Sequence, residues 1–327
     1  MSSDRTVFAG IDLGGTKILV LIADATGRVL GQARTPTQAS QGPEAVIGRI
    51  ADTVRAAADD AGIELASIRA AGVSAPGPID AAAGVITDPP NLPGWHNVPL
   101  AKTLHERLGI PTLLENDANC QGVAEHQFGA GRGYSHMLFI TVSTGIGGGV
   151  ILNNELYVGA SGAAGEVGHI GVSINGPACG AGHVGCLEAF ASGAAIAARA
   201  REMIAAGGLI RTARLAEHDP PVSAKTVSLA GQQGEAEATA IIESAGRYLG
   251  IGLASLINVF NPQAIVIGGG LVNMGETLLG PAMETARARS FAQSFADVRI
   301  VEGELGERAG ALGAIAVARN QAAKGAI

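Results

Sequence analysis

Residues 11–17 read IDLGGTK, directly after the apolar run Val7-Phe8-Ala9-Gly10. An acid, two glycines, a hydroxyl and a lysine at the end of a buried strand allow two readings. Gly14 and Gly15 tolerate positive φ, so the stretch suits a tight hairpin turn before the apolar run ILVLIA resumes. The same residues suit a phosphate cradle. Asp12 is placed to hold a hydrated Mg²⁺, Gly14 and Gly15 let backbone N–H groups approach phosphate oxygens, and Thr16 and Lys17 add a hydroxyl donor and a cation. The Walker spacing G-x-x-x-x-G-K-[ST] is absent. A second stretch, STGIGGG over 143–149, repeats the hydroxyl-glycine chemistry at Thr144 and Gly145, and two such segments argue for phosphate better than one.

Three further stretches carry reactive groups. In ENDAN, Asp117 follows the strand-like TLL and precedes a helix, so Asn116 or Asp117 fits the N-cap of that helix. The functional alternative makes Asp117 a general base that takes a proton from a hydroxyl as it attacks phosphorus. In GAAGEVGHI, Glu166 and His169 read either as parts of a surface turn or as partners for vicinal sugar hydroxyls, each of which needs a donor and an acceptor. Their spacing is not the H-E-x-x-H of a zinc protease. In PACGAGHVGCLEAF, the segment GAGHVG has the form of a dinucleotide fingerprint, but no strand precedes it and no βαβ unit surrounds it. Cys179 and Cys186, with His169 upstream, instead look like part of a structural zinc site with three ligands in order. Cys120 lies far off and reads as a small buried hydrophobe.

Short β-branched runs alternate with Ala-rich helical stretches, which predicts α/β sheets with crossover helices. A weak internal repeat sharpens this. FAGIDLGGTKILVLIADATGRVLG resembles FITVSTGIGGGVILNNELYVG, each reading strand, glycine turn, strand, polar turn and a further short strand. At 327 residues two lobes are expected, with a cleft between them in which the two hairpins hold one phosphate chain. The boundary is placed at Asp117: a first lobe over 1–117, joined by a C-terminal helix over 307–327, and a second over 118–306, with GGLIRTARLAEHDPPVSAK as a loop-rich excursion. Hydrophobic residues make up 47% of the chain, yet no stretch approaches a membrane span of about 20 apolar residues. The start MSSDRTVFAG lacks a secretory pattern, which with three cysteines predicts a cytoplasmic protein. A net charge of −7 without basic runs speaks against nucleic-acid or anionic-membrane partners and leaves a small molecule as the expected one.

Taken together these stretches resemble the ROK family of sugar kinases, within the actin-like ATPase (ribonuclease H-like) superfold, and in particular its bacterial glucokinases. The resemblance rests on DLGGTK, SAPGPID, NLPGW, ENDAN, TVSTGIGGG, GEVGHI, GCLE and IVIGGG in family order, over nearly the whole chain. It implies a two-lobed α/β fold with a duplicated mixed sheet. It also implies ATP-dependent phosphorylation of glucose at the 6-hydroxyl, with Mg²⁺, and a homodimer or homotetramer. By position, Asp12, Gly14, Gly15, Thr16 and Lys17 would form the first phosphate segment and Thr144 and Gly145 the second. Gly268, Gly269 and Gly270 would lie against the nucleoside. Asp117 would be the catalytic base, and Asn91, Asn116, Asp117, Glu166, His169 and Glu188 would line the hexose. Members with zinc carry C-x-C-G-x-x-G-C; here Ala181 stands at the middle cysteine, leaving His169, Cys179 and Cys186, with His183 as the candidate fourth ligand. The alternatives that keep this mechanism are fructose, mannose, N-acetylmannosamine or N-acetylglucosamine as acceptor, or polyphosphate as donor. A sugar-sensing ROK regulator is disfavoured because strand residues begin by Val7, leaving no room for a helix-turn-helix.

Overall fold

The computed structural model describes residues 6–89, 91–218 and 221–325. The first five residues, on which the absence of a secretory pattern partly rests, lie outside the described residues. Strands β1 (Val7–Leu13), β2 (Lys17–Asp24) and β3 (Val29–Pro36) form an antiparallel meander. Helix α1 (Pro43–Ala61) follows, with Pro43 in its first turn, where a missing N–H is tolerated, and Gly62 at φ 65° closing its end. Then come β4 (Ile68–Ala75), the short pair β5 (Ile79–Asp80) and β6 (Val85–Ile86), α2 (Leu100–Leu108), β7 (Thr112–Asn116) and α3 (Asp117–Phe128). The first sheet has the order β3-β2-β1-β4-β7, with β4 parallel to both β1 and β7.

Strand β2 reads as an unbroken apolar run because both faces of this sheet are covered. Ile18, Val20 and Ile22 join the core made with Ile50, Val54 and Leu104 of α1 and α2. Leu19, Leu21 and Ala23 face the opposite core, with Leu312 and Ile315 of α11 (Ala309–Ala323). The approach of α11 is close: a Cβ on Gly10 would stand 2.0 Å from the Ala311 carbonyl oxygen, and one on Gly72 2.0 Å from that of Ala314. Glu125, 1% exposed, ties the chain before α11 to α3 by accepting the backbone N–H groups of Glu304 (3.1 Å) and Leu305 (2.9 Å).

The second sheet has the order β10-β9-β8-β11-β12, from β8 (Met137–Val142), β9 (Ile146–Leu152), β10 (Glu155–Leu156), β11 (Ala264–Gly268) and β12 (Arg299–Glu302). It repeats the plan of the first, a hairpin-linked meander followed by parallel strands. Between β10 and β11 lie α4 (Leu187–Ala191), α5 (Gly193–Ala205), α6 (Ile210–His218), α7 (Ala224–Gln232) and α8 (Ala236–Phe260). Helices α9 (Glu276–Arg289) and α10 (Ala292–Asp297) precede β12. The loop-rich excursion expected around 207–225 is thus largely helical. Nor does the expectation that no stretch approaches a membrane span hold for α8, whose 25 residues are apolar enough to cross one. Its glycines explain the composition: a Cβ on Gly246 would stand 2.3 Å from the Leu278 carbonyl oxygen and one on Gly250 2.4 Å from that of Ala282, so α9 packs directly on its backbone as in a core helix.

The chain divides into two compact units, Met1–Ser135 with Gly149–Ala164 and Gly303–Ile327, and His136–Gly148 with Gly165–Glu302. The division falls after Ser135 rather than after Asp117. Helix α3 belongs with α11: Gly313 lies so near the Cys120 carbonyl oxygen that a Cβ would be 1.8 Å from it. The C-terminal helix expected over 307–327 is observed over Ala309–Ala323, in the first unit; residues 326 and 327 lie outside the described residues.

Candidate functional site

In the first unit, the candidate residues stand at the carboxyl ends of parallel strands, where ligands of open α/β sheets bind. The register sets Asp12 of β1 beside Ser74 of β4, and Ala75 beside Asn116 of β7. The buried Ser74 hydroxyl donates to Asp12 Oδ1 at 3.0 Å. Burial holds the Asp12 carboxyl above its ordinary pKa; the Ser74 hydrogen bond and the Lys17 charge pull the other way, and Glu307 adds to the rise. Gly310, in the first turn of α11, lies so close that a Cβ would be 2.3 Å from Asp12 Oδ1. A desolvated carboxylate whose charge its neighbours offset only in part fits a hydrated divalent cation, which would relieve that desolvation.

The turn after β1 is closed by Gly14 N–H donating to the Lys17 carbonyl at 3.0 Å. Thr37, fully buried, grips it from the side: its N–H donates to the Thr16 carbonyl at 2.9 Å and its hydroxyl to the Gly14 carbonyl at 2.6 Å. Thr16 is left exposed at the tip. Lys17 Nζ lies 2.9 Å from a Glu307 carboxylate oxygen, which Arg34 approaches to 3.6 Å. Asn91 stands beside the turn, its carbonyl oxygen 3.2 Å from where a Cβ on Gly15 would be. The tight turn of the first reading is thus observed, and the Gly14 N–H is spent in closing it.

The choice between Asn116 and Asp117 as the cap of α3 is resolved in favour of Asn116. Its Oδ1 accepts from Ala118 N–H at 2.9 Å and Asn119 N–H at 3.2 Å. Asp117 is the first helical residue, with Oδ1 2.8 Å from Ala118 N, and the positive end of the helix stabilises its charged form. Glu115 braces the corner, accepting from Asn116 N–H and from the Asn119 side-chain amide, both at 2.9 Å.

In the second unit, the Ser143–Gly145 turn carries no charge and is held by backbone. Ser143 N–H donates to the Gly145 carbonyl at 2.9 Å, and the first turn of α5 grips it through Gly193 N–H to Ser143 O (2.7 Å) and Ala194 N–H to Thr144 O (3.1 Å). The buried Ser192 side chain caps α5 by accepting from Ala195 N–H at 3.1 Å. Beside the turn opens a cavity of about 550 Å³, within the size range of ligand pockets. Thr144, Gly270 and Asn273 line it, as do Lys225, Ser228 and Leu229 of α7. Gly268 and Gly269 do not: they face the Phe139 ring and the Val142 carbonyl, where a Cβ would be 2.9 and 2.3 Å from its nearest neighbour. A cavity of about 800 Å³ in the first unit takes in Glu115 but none of the candidate residues, and its walls carry charges of both signs.

His169, Cys179, His183 and Cys186 converge in the second unit, with their ligand atoms all within 4.8 Å of one another. Cys179 Sγ is 3.5 Å from His169 Nδ1, and His169 Nε2 is 3.9 Å from the Glu166 carboxylate. His183 enters because Gly182 N–H donates to the Cys179 carbonyl (2.9 Å) and Cys179 N–H to the His183 carbonyl (2.8 Å), folding the loop back on itself and leaving Ala181 exposed at its tip. Two thiols and two imidazoles at this spacing fit tetrahedral zinc.

The sequence pattern of the ROK family matches residues 8–321. The chain belongs to the ROK family. A glucokinase from Thermotoga maritima is 38% identical to this ROK protein over 312 residues, covering 95% of this chain and 97% of the relative. A ROK hexokinase structure from Thermus thermophilus superposes with a TM-score of 0.84 at 36% identity, covering 98% of this chain and all of that one (100%). A ROK glucokinase from Streptomyces griseus, in complex with glucose and AMPPNP, superposes with a TM-score of 0.80 at 34% identity, covering 97% and 99% of the two chains.

Ser74, Thr37, Glu307 and the α7 residues of the cavity were not singled out in the sequence of this ROK protein. Ser74 and Thr37 are single hydroxyls in apolar or polar runs, and only strand register and a side contact bring them to the turn. Signals for α7 did exist: Ser223 opens it, accepting from Thr226 N–H as a capping box.

Proposed function

We propose that this chain transfers the γ-phosphoryl group of ATP to the 6-hydroxyl of glucose. The observation that supports the mechanism is the placement of Asp117 as the first residue of α3, directly after β7, with its Oδ1 oriented by the Ala118 N–H at 2.8 Å, where a carboxylate at a strand's carboxyl end can serve as general base. Asp117 takes the hydroxyl proton as the sugar oxygen forms its bond to phosphorus and the bond to ADP breaks. Lys17, the Gly15 amide and the Thr144–Gly145 turn stabilise the charge on the phosphates, and the cavity beside Thr144 takes the nucleoside. Mg²⁺, held by Asp12, would supply charge neutralisation on the donor phosphates. Asn91, Asn116, Glu166, His169 and Glu188, whose Oε2 accepts the Ile146 N–H at 3.0 Å, are the groups assigned to the sugar hydroxyls.

His169, Cys179, His183 and Cys186 would hold a structural zinc, with Glu166 as the carboxylate behind His169. Its role is to brace the loop, not to take part in the reaction. An enzyme drawing on ATP for a soluble hexose suits the cytoplasm. The test is ADP release by the purified protein with MgATP and glucose, mannose, fructose, N-acetylglucosamine or N-acetylmannosamine singly. Glucose is expected to dominate; a different winner replaces the acceptor, and release with none of them overturns the kinase reading.

A further inference from the structure

The second unit holds a further cavity, of about 490 Å³, between α6 and the segment that joins α7 to α8. Arg211, Arg214, Leu215 and His218 line it, and their spacing puts them on one face of α6. Gln233 and Glu235 form the facing wall, and Ile210 adds an apolar edge. This cavity shares no lining residue with the one beside Thr144. Helix α7 contributes Lys225, Ser228 and Leu229 to that cavity, whereas only Gln233, the residue that follows α7, borders this one.

The acid in the wall is already engaged. Glu235 caps α6 from a distant segment: Oε1 accepts the Arg211 N–H at 2.8 Å and Oε2 the Thr212 N–H at 3.0 Å, and the Thr212 hydroxyl donates to the same oxygen. Leu209, ahead of the helix at φ 52°, has no side-chain oxygen to offer in its place. Arg211 Nη1 donates to the Gln233 carbonyl, which steers its guanidinium across the cavity. Among the described residues, Arg211, Arg214 and His218 have no carboxylate partner, although the chain carries a net charge of −7. Glu217, the acid of α6, does not line the cavity.

We propose that this cavity binds the phosphate group of a small anion, held between Arg211 and Arg214, with a His218 ring nitrogen as a further donor. Two guanidinium groups one helical turn apart match a dianion with several acceptor oxygens better than a single carboxylate, and the planar fork of each suits phosphate. Ile210 and Leu215 lie where an organic part of the ligand would rest. Free phosphate and a phosphomonoester share this chemistry. None of these residues is assigned to phosphoryl transfer, so the inference stands apart from that reading.

The experiment titrates the full chain with inorganic phosphate and, separately, with glycerol 3-phosphate in a calorimeter. It compares wild type with Arg214→Met, Arg214→Lys and Lys17→Met. Arg214→Met is expected to weaken binding by about 10-fold or more with Tm unchanged, because Arg214 is exposed and makes no tie within the fold. Arg214→Lys should recover only part of the loss, since an ammonium cannot present the fork. Lys17→Met, in the other unit, should change the Kd by less than about 2-fold. Tighter binding of glycerol 3-phosphate than of phosphate would identify a phosphomonoester as the ligand; equal affinities would identify phosphate itself. Absence of binding by either probe to wild type overturns the proposal, as does binding that Arg214→Met leaves intact. An equal loss in Lys17→Met would move the anion to the Gly14–Lys17 turn and overturn it too.

Discussion

The two glycine turns follow one plan and achieve it with different materials. In the Gly14–Lys17 turn, side chains are added to the backbone ties: the Thr37 hydroxyl grips the Gly14 carbonyl while its N–H holds that of Thr16, Ser74 holds Asp12, and Lys17 brings a charge paired with Glu307. In the Ser143–Gly145 turn, the ties are mostly backbone, from the first residues of α5 and from Ile146 N–H to Glu188, and no cation lies in the turn itself. The difference teaches a division of labour. In the proposed mechanism the first turn would supply charge and a metal ligand, so its contribution should depend on salt; the second would supply shape and neutral donors, so its contribution should depend on how firmly its backbone is held.

The largest expected effect serves as the reference for both turns. Asp117→Asn should lower turnover by about 10²–10⁴ while leaving MgAMPPNP and glucose affinities near wild type, since neither turn is touched. Near wild-type turnover in a stopped or coupled ADP assay would remove Asp117 from the mechanism. Next, Lys17→Met should weaken MgAMPPNP by about 10–100-fold, the range of a hydrogen bond to a charged group, and should flatten the dependence of that affinity on KCl. Thr144→Val, removing a neutral hydroxyl from the second turn, should cost only about 2–10-fold and leave the salt dependence as it was. Equal losses from the two variants would erase the contrast.

Metal content tests the closure of the Cys/His loop. Purified protein should carry zinc, and His183→Ala should strip it to trace levels in elemental analysis and lower Tm; retention of stoichiometric zinc would show that three ligands suffice. The smallest effect concerns the first turn. Asp12→Asn should raise Tm at neutral pH, because burial disfavours the charged carboxyl and the amide oxygen still accepts from Ser74. Since the folded-state pKa is raised, the wild type gains relative stability as pH falls through that pKa, and the two proteins should converge in acid. A stabilisation that persists unchanged at low pH would point to packing instead of charge. The same variant should lose turnover, because it gives up the carboxylate assigned to the metal.

Much of this molecule is written locally. The unbroken apolar run ILVLIA in β2, the glycine pair after β1, the Asn-Asp sequence at the start of α3 and the duplicated strand-turn-strand pattern each depend on neighbours in sequence, so run length and turn chemistry expose them. The Cys/His loop was partly legible for the same reason: the Cys179–Cys186 spacing marks it, while the replacement at Ala181 left its closure open until the turn at Gly182 brought His183 round. The cap of α3 shows the limit, since Asn116 and Asp117 have equal chemical claims and only backbone geometry separates them.

What only the tertiary structure decided is of one kind. Ser74 reaches Asp12 across 62 positions by strand register, Glu188 reaches Ile146 across 42, and α11 closes on β1 and β4 from the far end of the chain. The boundary expected at Asp117 failed because α3 is claimed by α11, a contact that no local pattern encodes. Sequence alone determined the elements, the turns and the chemical identity of the candidate groups, because propensity and periodicity act over a few residues. Which of those groups are held, and by what, followed from register and close packing between distant segments, where a carbonyl 2.0 Å from an absent Cβ decides what can sit against what.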